Sequence, residues 1–453
     1  MEGVDNAIKK EDFEMAAKYI QRYQTIDSEI LTKEDFKQLQ NAELQLKQVI
    51  ETKTNESLKN KIPSQILRYC TIYTVIGMKE KTIENYVKYL ESILLNVYNE
   101  IYKMMFSEMT PIDALTSLFQ TVADMIADQE PIMERNFGID VAFQVLKALK
   151  TTIDNYATKI LNIFTEKFKI ENCFNVFAKT LKEKPNLKNF SKTVESVVPK
   201  ETTINEILDD IAMVSKITSI FQNFVNGQMK IFESQIEKNN NENKENENLI
   251  ENNNKTKETL GNRKTSEIST ESLLDKRIQE IINYYITIEK FFIQYQTLKA
   301  TTESEELSED GLTSKMIDYL FFVLQQSIQR SISSLNIEAV CALCNVIQFS
   351  LDDFLVFLQN SIRESSFSFS SRNKNNYTLV LNNISVCSDF IFKLNRDLFV
   401  NSKQIFKEEK ELKKLQNSCN EINEIAKKYK NSLKVKKKFY FYFYFIFIFI
   451  FFF

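Results

Sequence analysis

The sequence lacks histidine altogether and contains only six glycines and five prolines among 453 residues. Without histidine, the chain has no Ser/His or Cys/His nucleophilic pair and no imidazole ligand for a metal. The glycines are far apart, so neither a phosphate-binding Gly-rich loop nor a dinucleotide-binding fingerprint can be written anywhere. These absences exclude most hydrolase chemistry and nucleotide binding by such loops, and we expect no cofactor.

Cysteine is also scarce, with six residues scattered along a chain that begins without an apolar signal segment. We therefore expect reduced thiols in a cytosolic protein. Cys341 and Cys344 form a C-x-x-C pair, but no second pair completes a zinc site, and the surrounding "NIEAVCALCNVI" is a continuous apolar helical run. This context favours buried core cysteines, whereas a redox enzyme would require exposed and acidic thiols.

No segment carries a strong excess of one charge. The net charge is -3, hydrophobic residues make up 43% and charged residues 26% of the chain, and lysines alternate with acidic residues almost throughout. A soluble globular protein has these proportions. Binding to a phosphate backbone needs a concentrated positive field, so we do not expect nucleic acid as a partner.

What the sequence does contain is helical periodicity. In "EDFEMAAKYIQRYQ" apolar residues recur at intervals of three and four, and the same spacing returns in stripes beginning near Leu39, Ile83, Leu115 and Met316. No convincing alternation of strand type appears before the C-terminal tail. The prolines fall near breaks in the stripes, and Pro131 predicts a corner between two helices. The pattern predicts an all-α protein.

Composition divides the chain into four ranges. Residues 237–271 are rich in Asn, Glu and Lys and almost free of aromatics, which predicts a disordered insertion between helical regions at 1–236 and 272–435. A tail of aromatic and Ile residues occupies 436–453. It is uncharged beyond Lys438, and its alternation is more typical of an aggregating strand than of a helix.

A seven-residue repeat is the most regular pattern in the chain. Its members are Ile384, Ile391, Leu398, Ile405, Leu412, Cys419 and Ala426, with Cys387, Leu394, Leu415 and Ile422 three residues after members of that series. Asn401 and Glu408 interrupt it. The repeat predicts one long helix packed along a partner helix, either within the chain or in another subunit.

Paired carboxylates are the one catalytic device that the composition permits. Asp352 with Asp353, and Asp209 with Asp210, are the candidate pairs. Each pair lies beside an apolar helical stripe, so a solvated helix face explains it better. Glu130, Glu134 and Arg135 surround Pro131, and the predicted corner accounts for them. We therefore expect no catalytic, cofactor-binding or metal-binding residues, and no enzyme.

Four stretches resemble, in the same order, blocks of subunit four of the conserved oligomeric Golgi complex. They are "DNAIKKEDFEMAAKYIQRYQTID", "ADQEPIMERNFGID", "LTSKMIDYLFFVLQQSIQRSISSLNIEAVCALCNVI" and "LVLNNISVCSDFI", and together they span about Asp5 to Phe392. None is a catalytic signature. The resemblance is specific because four unlike blocks occur collinearly.

The resemblance implies elongated helical bundles or rods in a multisubunit tether that captures vesicles recycling within the Golgi. It implies a peripheral place on the cytoplasmic face of the Golgi membrane with a cytosolic pool, and as partners the other subunits, SNAREs and a Sec1-type SNARE regulator. From the resemblance we expect that an N-terminal coiled coil, and the bundles that follow the long helix in the family, are missing from this sequence. That coiled coil is where the family's partner subunits and SNARE regulator are expected to dock.

The tail leaves two interpretations open. Its apolar run, Phe439 to Phe453, is about 15 residues, shorter than the roughly 20 that a spanning helix needs. It could still act as the anchor of a tail-anchored membrane protein, aided by the lysines before it. Alternatively, since its residue types can all be encoded by codons of A and T, it is translated non-coding sequence.

Overall fold

The computed structural model of the chain describes residues 2–24, 33–200, 202–250, 272–303, 306–309, 311–366 and 371–452. Within these ranges fifteen α-helices form, and the β-structure of the same residues is one isolated bridge between Leu307 and Ser314. The predicted all-α class is confirmed. Backbone contacts divide the chain into unit 1, Met1–Leu161 with Ile220–Lys276, and unit 2, Asn162–Ser219 with Arg277–Phe453.

The helices of the first half are α1 (Glu2–Lys9), α2 (Phe13–Gln24), α3 (Lys33–Asn60), α4 (Pro63–Val75), α5 (Lys79–Met105), α6 (Pro111–Phe137), α7 (Ile139–Lys167), α8 (Ile170–Thr180), α9 (Leu187–Val197) and α10 (Ile204–Ile250). Those of the second half are α11 (Leu273–Glu303), α12 (Lys315–Ser333), α13 (Ile337–Ser366), α14 (Ser371–Ile405) and α15 (Glu409–Phe452). The domain ranges 1–236 and 272–435 remain a prediction.

Unit 1 buries the apolar stripes that the sequence predicts. Its N-terminal core joins α1 to α4, where Ala16, Ile20, Leu46 and Tyr73 are at most 1% exposed. Further along, the Phe119 ring stacks on Phe221 with 4.1 Å between centroids. Burying one such side chain stabilises the fold by roughly 1.5–3 kcal/mol, so these stripes dominate its stability.

Pro131 does not end a helix, and the predicted corner there is wrong. Helix α6 runs through Pro131 to Phe137 and ends at Gly138, whose φ of 86° suits glycine. Proline removes one backbone hydrogen bond from a helix interior, but Met133 and Phe137 beyond it are buried. The packing of that last turn offsets the lost bond.

Unit 2 has an aromatic core where α8 and α9 meet α11. The Phe291 ring stacks on Phe177 at 3.9 Å and on Phe190 at 4.7 Å between centroids. In α13, the segment Ile337–Arg363 is long and apolar enough to cross a membrane, but half of its most apolar window is buried within the protein. A core helix of a soluble bundle passes the same test.

The predicted single heptad helix is two helices. The chain turns at residues 406–408, and α15 returns antiparallel along α14, as the bonds from Ser388 Oγ to the Ala426 carbonyl and from Asn395 Nδ2 to the Cys419 carbonyl show. Ile391 on α14 and Ile422 on α15 are at most 1% exposed. One half of the seven-residue stripe therefore buries the other, which a single rod could not do.

Two further expectations differ from the backbone. Helix α10 continues to Ile250, through the first part of the segment expected to be disordered, and residues 251–271 lie outside the described residues. Helix α15 continues through the tail to Phe452, so the expectation of a strand there is wrong. In both cases an existing helix is extended, which avoids the unfavourable nucleation step.

Because glycine is scarce, several helix junctions place other residues in the left-handed region. Lys61, Lys169 and Leu335 have φ between 51° and 55°. A side chain there costs roughly 1–2 kcal/mol relative to the right-handed region. The helical stretches on either side impose the turn and offset that cost.

Candidate functional site

The two candidate carboxylate pairs lie on helices α13 and α10. Asp352 accepts a hydrogen bond from Lys428 Nζ at 2.9 Å, and Asp353 is an exposed residue of α13. Asp209 forms an ion pair with Arg330. The pKa of Asp210 is raised, mainly by burial and secondly by the negative charge of Asp209. The two members of each pair therefore lie in different surroundings.

Arg330 of α12 is the centre of a buried polar network in unit 2. Its Nε and Nη2 donate to the two carboxylate oxygens of Glu289 on α11, each at 3.0 Å. Its Nη1 donates to Asn205 Oδ1 at 2.8 Å and to Asp209 Oδ1 at 2.9 Å, both on α10. One guanidinium thus connects three helices.

The two ions of this network differ in exposure. The side chains of Arg330 and Glu289 are 2% and 1% exposed, whereas that of Asp209 is 55% exposed. Burial would lower the pKa of Arg330, but the charge and hydrogen bonds of Glu289 outweigh it and raise that pKa above its ordinary value. Arg330 is therefore a permanent cation, and Glu289 is its main counter-ion.

Sequence reasoning missed this network, although one signal was available. Glu289 stands in "YYITIEKFFI" and Arg330 between Ile328 and Ile332, so each ion interrupts an apolar stripe. Charged residues are almost never fully buried unless they are paired. An ion within a stripe therefore indicates a partner, but not which one.

The charged residues around Pro131 share one helix. Glu130, Glu134 and Arg135 lie along the continuous helix α6. Burial, together with the charge of Glu134, raises the pKa of Glu130. The arrangement is that of a helix surface.

The cysteines of the C-x-x-C pair lie on α13. Cys344 is 1% exposed, and burial raises its pKa well above that of a free thiol. Cys341 is half-buried, and burial raises its pKa as well. Redox thiols need the opposite shift, so the environment favours the core interpretation. Among the described residues, no group of three or more acidic, Cys or His side chains could hold a metal ion.

A groove between α12 and α14 is the best candidate for contact with another protein. The two helices run parallel, since Ser314 N–H donates to Asn383 Oδ1 at 3.0 Å and the rings of Phe321 and Phe390 meet at 5.1 Å further along. The groove has a volume of about 230 Å³, and Phe322 beside it is 64% exposed.

The lining of this groove is apolar at the base and polar at the edge. Phe321, Ile328, Leu394 and Leu398 form the base. The edge carries Asp318, Gln325, Gln329, Lys393, Asp397 and Asn401. Such a surface can hold apolar side chains of a partner helix while the edge forms hydrogen bonds.

Comparison with protein families agrees with this helical architecture. Residues 68–362 match the family described as "COG4 transport protein, middle alpha-helical bundle", and residues 1–42 match "Conserved oligomeric Golgi complex subunit 4, N-terminal". The first match alone covers more than half of the chain. The chain belongs to the family of conserved oligomeric Golgi complex subunit 4.

Curated members of this family align over 80% to 96% of the chain. Subunit 4 of Caenorhabditis elegans is 23% identical over 94% of this chain and 58% of its own length. Subunit 4 of Arabidopsis thaliana is 23% identical over 96% of this chain and 57% of its own length. Subunit 4 of Mus musculus is 26% identical over 80% of this chain and 46% of its own length. The chain thus spans about half the length of the subunit 4 relatives that it matches.

Proposed function

We propose that this chain is a non-enzymatic scaffold subunit of a Golgi vesicle-tethering complex that supports retrograde vesicle transport within the Golgi and Golgi organisation. The observation that carries the proposal is the family match over residues 68–362, which places the chain among subunits of a Golgi complex. The arrangement of long helices with an open groove is consistent with it, because such surfaces bind other helices through side chains.

In this proposal the protein works by geometry and affinity. Its helical bundles hold other subunits of the complex, SNAREs and a Sec1-type SNARE regulator within reach of one another. Holding two sites at a fixed separation raises the effective concentration of each for the other without any chemical step. The protein is peripheral, on the cytoplasmic face of the Golgi membrane, with a cytosolic pool.

The proposal is tested by affinity purification of the tagged full chain from cells, followed by mass spectrometry. Other subunits of the Golgi complex should copurify, and Phe322→Ser should reduce their recovery. Phe349→Ser is the matched control, because Phe349 on α13 is 63% exposed against 64% for Phe322. Recovery of unrelated proteins alone would overturn the assignment.

A tail-anchored membrane protein is the second candidate, because α15 continues as a helix through the aromatic tail to Phe452. Carbonate extraction of membranes distinguishes the two. A peripheral subunit is released into the supernatant, whereas a tail-anchored protein stays in the pellet.

A further inference from the structure

A second groove, which shares Lys393 with the one described above, lies between α14 and α15. Its volume is about 520 Å³. Phe392, Asn395, Arg396 and Phe399 line it from α14, together with Asp389 and Lys393, and Gln416, Cys419 and Asn423 line it from α15. Phe392 is 38% exposed, so the groove presents apolar surface to solvent between two polar walls.

The walls have an ordered polar structure. Asn395, itself 5% exposed, donates from Nδ2 to the Cys419 carbonyl at 2.9 Å and to Asn423 Oδ1 at 2.7 Å. On α15, Gln416 Nε2 donates to Asn420 Oδ1 at 3.0 Å. The two bonds of Asn395 cross from α14 to α15 and hold the helices at a set spacing, so the groove is pre-formed.

The charge of this hairpin is opposite to that of the whole chain. Residues 377–434 contain eleven Lys or Arg and seven Asp or Glu, although the complete chain has a net charge of -3. The groove itself carries Lys393 and Arg396 against the single carboxylate of Asp389. The Arg396 side chain is 72% exposed, and its ion pair with the adjacent Asp397 is long, at 3.5 Å. Both cations can therefore meet a negative ligand.

The shape of the groove favours a helix as that ligand. Both walls are helices, which satisfy their own backbone groups, so there is no strand edge to which an extended peptide could add. Phe392 and Phe399 are seven residues apart, two turns on one face of α14, which matches the apolar spacing of an amphipathic helix. A lipid surface fits less well, because insertion requires protruding apolar residues, whereas Phe399 is half-buried.

We infer that the α14–α15 groove binds an acidic amphipathic helix of a partner protein. Its apolar stripe packs on Phe392 and Phe399, and its carboxylates meet Lys393 and Arg396. This surface goes beyond the Golgi proposal and does not depend on it. The test below uses the purified chain alone, so its failure is distinguishable from failure of copurification.

The probe is a labelled 18-residue peptide with Leu at positions i, i+3, i+4 and i+7 of each repeat and Glu or Gln elsewhere. The full 453-residue chain should bind it, as measured by fluorescence anisotropy, and binding should weaken as salt is raised. A second peptide with Lys in place of Glu should bind at least about tenfold more weakly, since like charges are destabilising.

Three variants locate the site. Phe392→Ser should weaken binding of the acidic peptide about tenfold, while Phe349→Ser, on exposed surface of α13, should leave it unchanged. The double variant Lys393→Glu with Arg396→Glu should lose the acidic peptide and gain the Lys peptide. This exchange of specificity cannot arise from unfolding, so it separates contact from loss of structure.

Several outcomes would overturn the inference. One is equal binding of both peptides, and another is binding that the double charge reversal does not alter. A third is capture of the chain by vesicles containing phosphatidylserine, lost in the double variant, with no binding of the acidic peptide. The fourth is self-association in sedimentation velocity that the double variant abolishes while the peptide does not compete.

Discussion

Replacing Arg330 with methionine is the sharpest test of how unit 2 is held together. Methionine retains most of the apolar stem but removes the guanidinium that pairs with Glu289 and reaches Asn205 and Asp209. Glu289, 1% exposed, would then be a buried carboxylate without a counter-ion. Such a group keeps the cost of its desolvation and loses the attraction that offset it.

The expected magnitude comes from the exposures of the two acids. Breaking a buried ion pair by removing one partner costs roughly 3–5 kcal/mol. Asp209 is 55% exposed, so losing its ion pair with Arg330 adds at most about 1 kcal/mol to this cost. Replacing both ions, as Glu289→Leu with Arg330→Met, should cost less than about 2 kcal/mol, because no charge then remains buried.

The absence of tryptophan makes the assay simple. A Tyr295→Trp background places a single tryptophan beside Phe190 in the core of unit 2. Urea unfolding followed by its fluorescence then reports on unit 2 alone. With a slope of about 3 kcal/mol per molar urea, Arg330→Met should lower the midpoint by about 1 M or more.

Lys414→Met is the control, since it removes an exposed cation that pairs with Glu338 on the same unit, and it should leave the midpoint unchanged. If the double variant is as unstable as Arg330→Met, the network stabilises through its hydrogen bonds or packing and the argument from an unpaired buried charge fails.

Three further predictions concern single residues. Burial raises the pKa of Asp154 to about 6, above that of an aspartate in the unfolded chain. The ionised carboxylate therefore destabilises unit 1 above pH 6, and this destabilisation decreases as the pH falls toward 4. Asp154→Asn should flatten this trend and stabilise the fold at pH 7 by up to about 2 kcal/mol, seen in melting temperatures from pH 4 to 7. With a maleimide under native conditions, Cys341 should react before Cys344, and equal rates would contradict the burial described for them. Lys169 is exposed and has a left-handed backbone, with a φ of 51°. Lys169→Gly should therefore stabilise unit 2 by about 0.5–1 kcal/mol, measured as a higher urea midpoint. An unchanged midpoint would show that this φ is unstrained.

Much of the fold could be predicted because helical periodicity is a local property. The stripe of α2 and that of α6 are buried as their spacing indicates. The errors fall where a non-local contact outweighs a local preference. Pro131 is tolerated because Met133 and Phe137 beyond it are packed, and the heptad stripe is divided because each half finds its partner in the other.

The grooves could be predicted least. Phe322 and Phe392 stand within apolar helical sequence and look like core residues. Whether an apolar residue of a helix faces solvent depends on how many other helices pack against that helix. No pattern along one helix specifies that number. The excess of Lys and Arg over Asp and Glu in residues 377–434 is small, eleven against seven, and the sequence analysis did not single it out. Its relevance to binding depends on the groove that α14 and α15 form.

The sequence by itself determined the helical class of the fold and the residue types that are available to it. Without histidine or clustered glycines, no arrangement in space can supply an imidazole base or a phosphate loop, and the three-to-four spacing of apolar residues requires helices. The tertiary structure decided which helices meet and which charges are buried together. Arg330 lies 41 residues from Glu289 and 125 from Asn205, and only packing of three helices brings them within 3.0 Å. Composition and periodicity can be read along the chain. The partner of a buried ion and the position of a groove depend on distances between helices, and those distances exist only in the folded protein.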